Sequence, residues 1–177
     1  MKVRLLITGG TIDKVYNQSN GELEFDKTHF PEMVKRSRVE VDLTLEEIML
    51  LDSLDMVDKE RDLIVDSCRR CEEDFILITH GTDTMCDTAR LIGESDIDKT
   101  IVLFGAMVPY AVSNSDALFN FGCALGSLQL LESGVYVAMN GRVLPWDDVE
   151  KNRALGVFQC IDSVSYTHLT LPTILLV

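Results

Sequence analysis

What most constrains this chain is a rhythm of short, uninterrupted apolar runs, most of them followed by a helical stretch. Val3–Ile7, Phe75–Thr79 and Ile101–Val108 carry almost no alternation with polar residues, as strands buried on both faces do. Gly134–Met139 reads as a further strand, and Val39–Leu45 alternates as a half-buried one does. Between them Phe30–Ser37, with Pro31 in its first turn, Asp58–Cys71, Asp83–Ile92 and Ser115–Leu131 read as helices. In the last of these Ala117, Leu118, Phe121, Leu125 and Leu128 fall on one face. Parallel strands need crossover connections, and helices supply them. The expectation is therefore an α/β domain with an open, mainly parallel sheet and helices on both faces. A length of 177 residues, without an internal repeat or a linker, fits one such domain.

Composition narrows the function. Sixteen basic residues against 29 acidic ones leave a net charge of −13, which argues against general binding to nucleic acid or anionic membranes. No stretch approaches the about 18 apolar residues of a membrane span, and Met1–Ile7 is a short apolar start before Thr8-Gly9-Gly10, unlike a secretory leader. Five scattered cysteines, an odd number, suit a reduced, cytoplasmic protein. Cys68-Arg69-Arg70-Cys71 is a CxxC pair inside a charged helical segment, where ordinary helix positions outweigh a redox or metal role. His29, His80 and His168 show no ligand spacing, so no metal is expected. Ser163–Val177 contains no Asp, Glu, Lys or Arg. We expect a domain over 1–162 and a tail over 163–177 resembling a translated sequencing adapter. The alternative is a native C-terminal edge strand.

Ligands of open α/β sheets bind beyond the carboxyl ends of the strands, which singles out three segments. Thr8-Gly9-Gly10-Thr11-Ile12-Asp13 follows the first strand; its glycines allow a tight turn whose N–H groups can hold an oxyanion or carboxylate. It is neither a dinucleotide fingerprint nor a phosphate loop. Thr79-His80-Gly81-Thr82-Asp83-Thr84 follows the central strand; alone it also reads as a helix cap, with Asp87 three residues after Thr84. Lys151-Asn152-Arg153 lies beyond the last strand and alone reads as a solvated surface. Together they suit amide hydrolysis. A threonine hydroxyl can attack a carbonyl, a glycine turn can hold the oxyanion, and a lysine in a dry site can act as a base.

Thr8-Gly9-Gly10-Thr11-Ile12 and His80-Gly81-Thr82-Asp83-Thr84-Met85 look like the two signatures of bacterial-type L-asparaginases. Asp52-Ser53-Leu54-Asp55-Met56, Gly105-Ala106-Met107, Asn114–Asn120 and Gly134–Val143 continue the match in order within residues 1–161. Lys151–Phe158 resembles the short, single-domain branch, the alternative being a two-domain enzyme cut short. The resemblance implies a Rossmann- or flavodoxin-like asparaginase N-terminal domain with one left-handed crossover near its last strands. It implies Thr11 as nucleophile, in a turn with Gly10 that contacts substrate, and Tyr16 in the following loop as its activator. Ser53, with Asp52 and Asp55 beside it, would bind the substrate α-carboxylate. Thr82 would position the hydrolytic water with Lys151 as basic partner, and Asp83 would bind the ammonium. The implied substrate is L-asparagine, with no cofactor, in a homo-oligomer, dimer or tetramer. Leu54 and Val108 depart from the pattern, since larger members carry polar residues there. Two other readings stay open: hydrolysis of glutamine or another amide, including an amidotransferase component, and a non-catalytic amino-acid-binding protein. Thr11, Thr82, Asp83 and Lys151 occurring together favour catalysis.

Overall fold

The structure, a computed structural model, describes residues 1–161; the tail expected over 163–177 lies outside the described residues. In chain order the elements are β1 (Lys2–Gly9), β2 (Lys14–Tyr16), β3 (Leu23–Phe25), α1 (Phe30–Arg36), β4 (Asp42–Leu51), α2 (Asp58–Arg70), β5 (Phe75–Thr79), α3 (Met85–Gly93), β6 (Thr100–Phe104), α4 (Ala117–Leu128), β7 (Gly134–Met139), β8 (Arg142–Pro145), β9 (Glu150–Asn152) and β10 (Val157–Gln159). Six strands make one sheet in the order β4-β1-β5-β6-β7-β8. The first five run parallel and β8 returns antiparallel to β7. This is the open, mainly parallel sheet that the apolar runs imply.

The pleat sorts those runs onto two faces. Leu6, Ile76, Ile78, Ile101 and Leu103 pack with α2 and α3 through Ile64, Val65, Cys68, Met85, Ala89 and Ile92. Val3, Leu5, Leu77, Val102 and Phe104 pack with α1 and α4 through Phe30, Met33, Phe121, Ala124 and Leu128. There Phe30, Phe104 and Phe121 form a ring cluster with centroids 5.7 to 5.9 Å apart.

Helix placement also fixes the hand of each crossover. The connections through α2 and α3 both step toward β8 with their helices on one face. The connection through α1 steps the other way on the other face, which gives the same hand. The connection from β6 to β7 steps toward β8 with α4 on the α1 face, so its hand is opposite. With three crossovers of the near-universal right hand, the α4 crossover is left-handed.

Where the structure departs from the sequence reading, side-chain partners explain it. β4 covers Asp42–Leu51 rather than Val39–Leu45, and Glu46, which interrupts its apolar pattern, bonds Arg4 on β1 at 3.1 Å. β6 ends at Phe104 rather than Val108, because Met107 and Val108 N–H donate to Asp116 instead of a strand. Asn140 and Gly141, at φ 56° and 77°, make the two-residue turn between β7 and β8. No disulfide joins the five cysteines among the described residues, and burial pushes Cys68 up to about 12, consistent with helix packing.

The strand order reverses between β1 and β5, because the chain leaves β1 toward β4 and returns on the other side. Main-chain pairing between those strands ends at Leu6 and Ile78. Beyond it, Thr8 N–H donates to Thr79 Oγ1 at 3.0 Å and the Thr8 hydroxyl donates to the Thr79 carbonyl. The buried backbone is thus satisfied where the two strands give way to their loops, at the switch point beside which open α/β sheets form a ligand crevice.

Candidate active site

Three loops meet at this crevice: Gly10–Asp13 after β1, Asp52–Asp55 after β4 and His80–Thr84 after β5. Gly10, at φ +80°, sits so close to the β5 loop that an added Cβ would lie 2.4 Å from Gly81 N. Only glycine permits that approach. Gly81 in turn presses on Ser53, whose Oγ would be 2.5 Å from a Cβ at residue 81. Thr11 and Thr82 each follow one of the two touching glycines, and Ser53 lies against the second of them.

Thr82 is buried, and Lys151 reaches it from the β9–β10 ribbon rather than from a loose loop. Lys151 Nζ donates to Thr82 Oγ1 at 2.8 Å and to Asp83 Oδ1 at 2.8 Å. Because the ammonium occupies one lone pair of Oγ1, the threonine proton is free to point into the crevice. Arg153, to which the sequence reading gave no role, also reaches Asp83: Nη1 donates to Oδ1 at 3.3 Å and Nη2 to the backbone carbonyl at 3.2 Å.

The glycine turn holds less of an anion site than expected, since Gly10 N–H donates to the Leu51 carbonyl at 2.9 Å. The N–H groups of Thr11, Gly81 and Thr82 make no hydrogen bond among the described residues and are the donors that remain. Ser53 Oγ is buried without a hydrogen-bond partner, and Thr84 Oγ1 fixes its backbone by donating to the Ser53 carbonyl at 2.9 Å. A buried hydroxyl left unsatisfied costs free energy, so it is a natural ligand contact.

Asp52 is engaged elsewhere, in an ion pair with Lys14. Partial burial pushes its carboxyl up, but the Lys14 ammonium and the Leu54 N–H outweigh this and hold it below the ordinary value. The pair ties the β2–β3 hairpin to the Ser53 turn. Asp55 is exposed, with its N–H on the Asp52 carbonyl at 3.0 Å. Tyr16 stands on the hairpin, 59% exposed, opposite Leu23, and its hydroxyl makes no hydrogen bond among the described residues. The base of the hairpin is closed by Asp13, buried at the end of the Thr11 turn, which accepts from Thr28 Oγ1 at 3.1 Å and His29 N at 2.8 Å. Burial pushes the Asp13 carboxyl up.

His80 is a support for the site. Fully buried, it meets the Gly81 carbonyl through Nδ1 at 2.8 Å and Thr88 Oγ1 through Nε2 at 2.8 Å. A carbonyl only accepts, so Nδ1 carries the proton and Nε2 accepts from Thr88. Burial pushes the imidazole down to about 4, keeping it neutral. Asn120 buttresses the far side, donating to the Gly105 carbonyl at 3.0 Å and accepting from Asn140 N at 3.1 Å. The sequence showed no periodicity that could join Lys14 to Asp52, Asn120 to Gly105 or Arg153 to Asp83, because these pairs are 15 or more residues apart.

The family described as "Asparaginase, N-terminal" matches residues 2–173. A protein of Haemophilus influenzae named "Probable L-asparaginase periplasmic" is 32% identical over 181 residues, covering 94% of this chain and 50% of that protein. The solved thermostable L-asparaginase of Thermococcus kodakarensis superposes with a TM-score of 0.80 at 28% identity, over 91% of this chain and 51% of that one. A probable cytoplasmic L-asparaginase of Campylobacter jejuni gives 0.80 at 26% identity, over 91% and 53%. The chain spans about half the length of each of these three proteins.

Proposed function

Because the chain belongs to the asparaginase family, we propose that it hydrolyses the side-chain amide of L-asparagine to L-aspartate and ammonia. The observation that carries this reading is the Lys151–Thr82–Asp83 cluster, with two 2.8 Å contacts, set beside Thr11 by the Gly10–Gly81 contact. An amino-acid-binding protein would need neither a second threonine nor a lysine on its hydroxyl.

In this mechanism the Thr11 hydroxyl attacks the amide carbon and gives up its proton, and the carbonyl oxygen takes the negative charge. The N–H groups of Thr11 and Thr82 stand nearby to stabilise it. Collapse expels the amide nitrogen, which leaves as ammonia after taking up a proton, and Thr11 becomes an ester of aspartate. Water, oriented by Thr82 and its lysine, attacks the ester; aspartate departs and the Thr11 proton is restored. Ser53 Oγ supplies a donor for the substrate α-carboxylate. Five cysteines with no disulfide among the described residues support placing this chemistry in a reducing compartment such as the cytoplasm.

The test is ammonia release from L-asparagine, L-glutamine and their D-isomers, with Thr11→Ala as control. We expect L-asparagine to be hydrolysed and Thr11→Ala to lose orders of magnitude in rate while remaining folded. Hydrolysis by Thr11→Ala at the wild-type rate would refute the nucleophile, and release from L-glutamine alone would move the reading to the glutaminase alternative.

A further inference from the structure

The corner of the crevice that should receive an ammonium is already crowded with cations. Asp83 Oδ1 accepts from Lys151 and from Arg153, and Arg153 is anchored a second time on the Asp83 carbonyl. One carboxylate thus stands between two cations, and the cluster carries a formal charge of +1. Both cations take Asp83 as their ion-pair partner. Of the nearby acids, Asp52 is held by Lys14 and Asp87 by Arg90, and Glu150, the neighbour of Lys151, accepts from the Gln159 amide at 2.8 Å. Leu54, which directly follows Ser53, is 65% exposed and offers no polar atom on its side chain. The Asp83 carboxylate still has Oδ2 open and is about one third exposed, so a ligand ammonium has an acceptor, but in a positive field.

We propose that Arg153 is a specificity-determining residue, and that it turns the site toward carboxamides bearing a carboxylate but no free α-ammonium. The inference rests on the amide-hydrolysis reading above and concerns which amide is taken best. The substrate carboxylate gains from the positive cluster and from the unpartnered Ser53 hydroxyl, whereas an α-ammonium is repelled by the charge that Arg153 adds. Des-amino or N-acylated side-chain amides satisfy the first requirement without incurring the second. A unit charge acting over several ångströms in a partly solvated site changes a binding constant by roughly tenfold. L-asparagine is accepted, at the lower efficiency.

The experiment compares kcat/KM for L-asparagine, N-acetyl-L-asparagine and succinamic acid, using the full chain and the R153Q variant at low and high salt. Wild type is expected to favour succinamic acid over L-asparagine. R153Q should move that ratio about tenfold toward L-asparagine, mainly through KM, because charge is lost and the amide-cleaving atoms are untouched. Raising salt should shrink the wild-type preference and leave R153Q almost unmoved. A ratio that R153Q leaves unchanged overturns the role of Arg153 alone. No ammonia from any of the three amides, with wild type folded, overturns the hydrolase reading and this inference with it.

Discussion

Acid should loosen the turn that carries Thr82, and His80 sets the size of the effect. Its imidazole is neutral in the fold because burial lowers its pKa from the ordinary 6.5 to about 4. The unfolded chain therefore binds a proton between those values that the folded chain refuses. Stability rises with pH wherever the unfolded state holds more protons, so the contribution is complete above pH 6.5 and is lost as pH falls toward 4. At about 1.4 kcal/mol for each pKa unit, the loss approaches about 3 kcal/mol at pH 4. Asp13, pushed up by burial, works in the opposite sense in the lower part of this window, since its folded form takes up a proton first. Comparison with a His80→Gln variant removes that and every other shared group. Urea unfolding at pH 7, 6, 5 and 4, followed by circular dichroism, should show wild type losing about 3 kcal/mol more than His80→Gln across the range. His80→Gln is expected to be less stable at pH 7, since Gln cannot reproduce both contacts, but its profile should be flatter. Parallel profiles would mean that the buried imidazole is not the acid-sensitive group and that the neutral tautomer assigned above is wrong.

Lys151→Met and Thr82→Val should each lower the rate of ammonia release by similar large factors, and the double variant should be little worse than either, since groups acting as one unit are not additive; kcat/KM for the four proteins measures this, and fully additive losses would separate the two residues. Phe121→Ala, in the ring cluster between α4 and the sheet, should cost about 3–5 kcal/mol of stability by denaturant titration. A loss below 1 kcal/mol would show that α4 does not hold that face closed.

Much of the architecture was legible because burial on both faces leaves a plain mark. Phe75–Thr79 and Gly134–Met139 stand as strands over the residues the apolar runs define. What the sequence hid are the places where distant partners override a local pattern. The second half of β4 contains Glu46 and Glu47, which read as an end to the strand until Arg4 appears as the partner of Glu46. The β7–β8 hairpin had a usable signal in Asn140-Gly141, a two-residue turn between apolar stretches, that the strand-and-helix rhythm obscured. At the site, the threonine turns were legible as motifs, and the structure supplied what joins them. Asp52, expected beside the substrate, is bound to Lys14, and Tyr16 stands exposed on the hairpin. Arg153 lies 70 residues from Asp83, a separation at which no periodicity operates.

The position of Lys151 on the β9–β10 ribbon, after every strand of the main sheet, carries a consequence for the order of events during synthesis. A nascent chain can assemble the sheet, and even bring Gly10 against Gly81, before the ribbon leaves the ribosome. Until then Thr82 and Asp83 have no lysine, and on the proposed mechanism the site would be inactive although its scaffold is built. Because the ribbon closes only when Phe158 pairs with Lys151, recovery of activity in refolding should trail recovery of secondary structure. In the proposed mechanism, the contact that brings the lysine to Thr82 would then form after the main sheet.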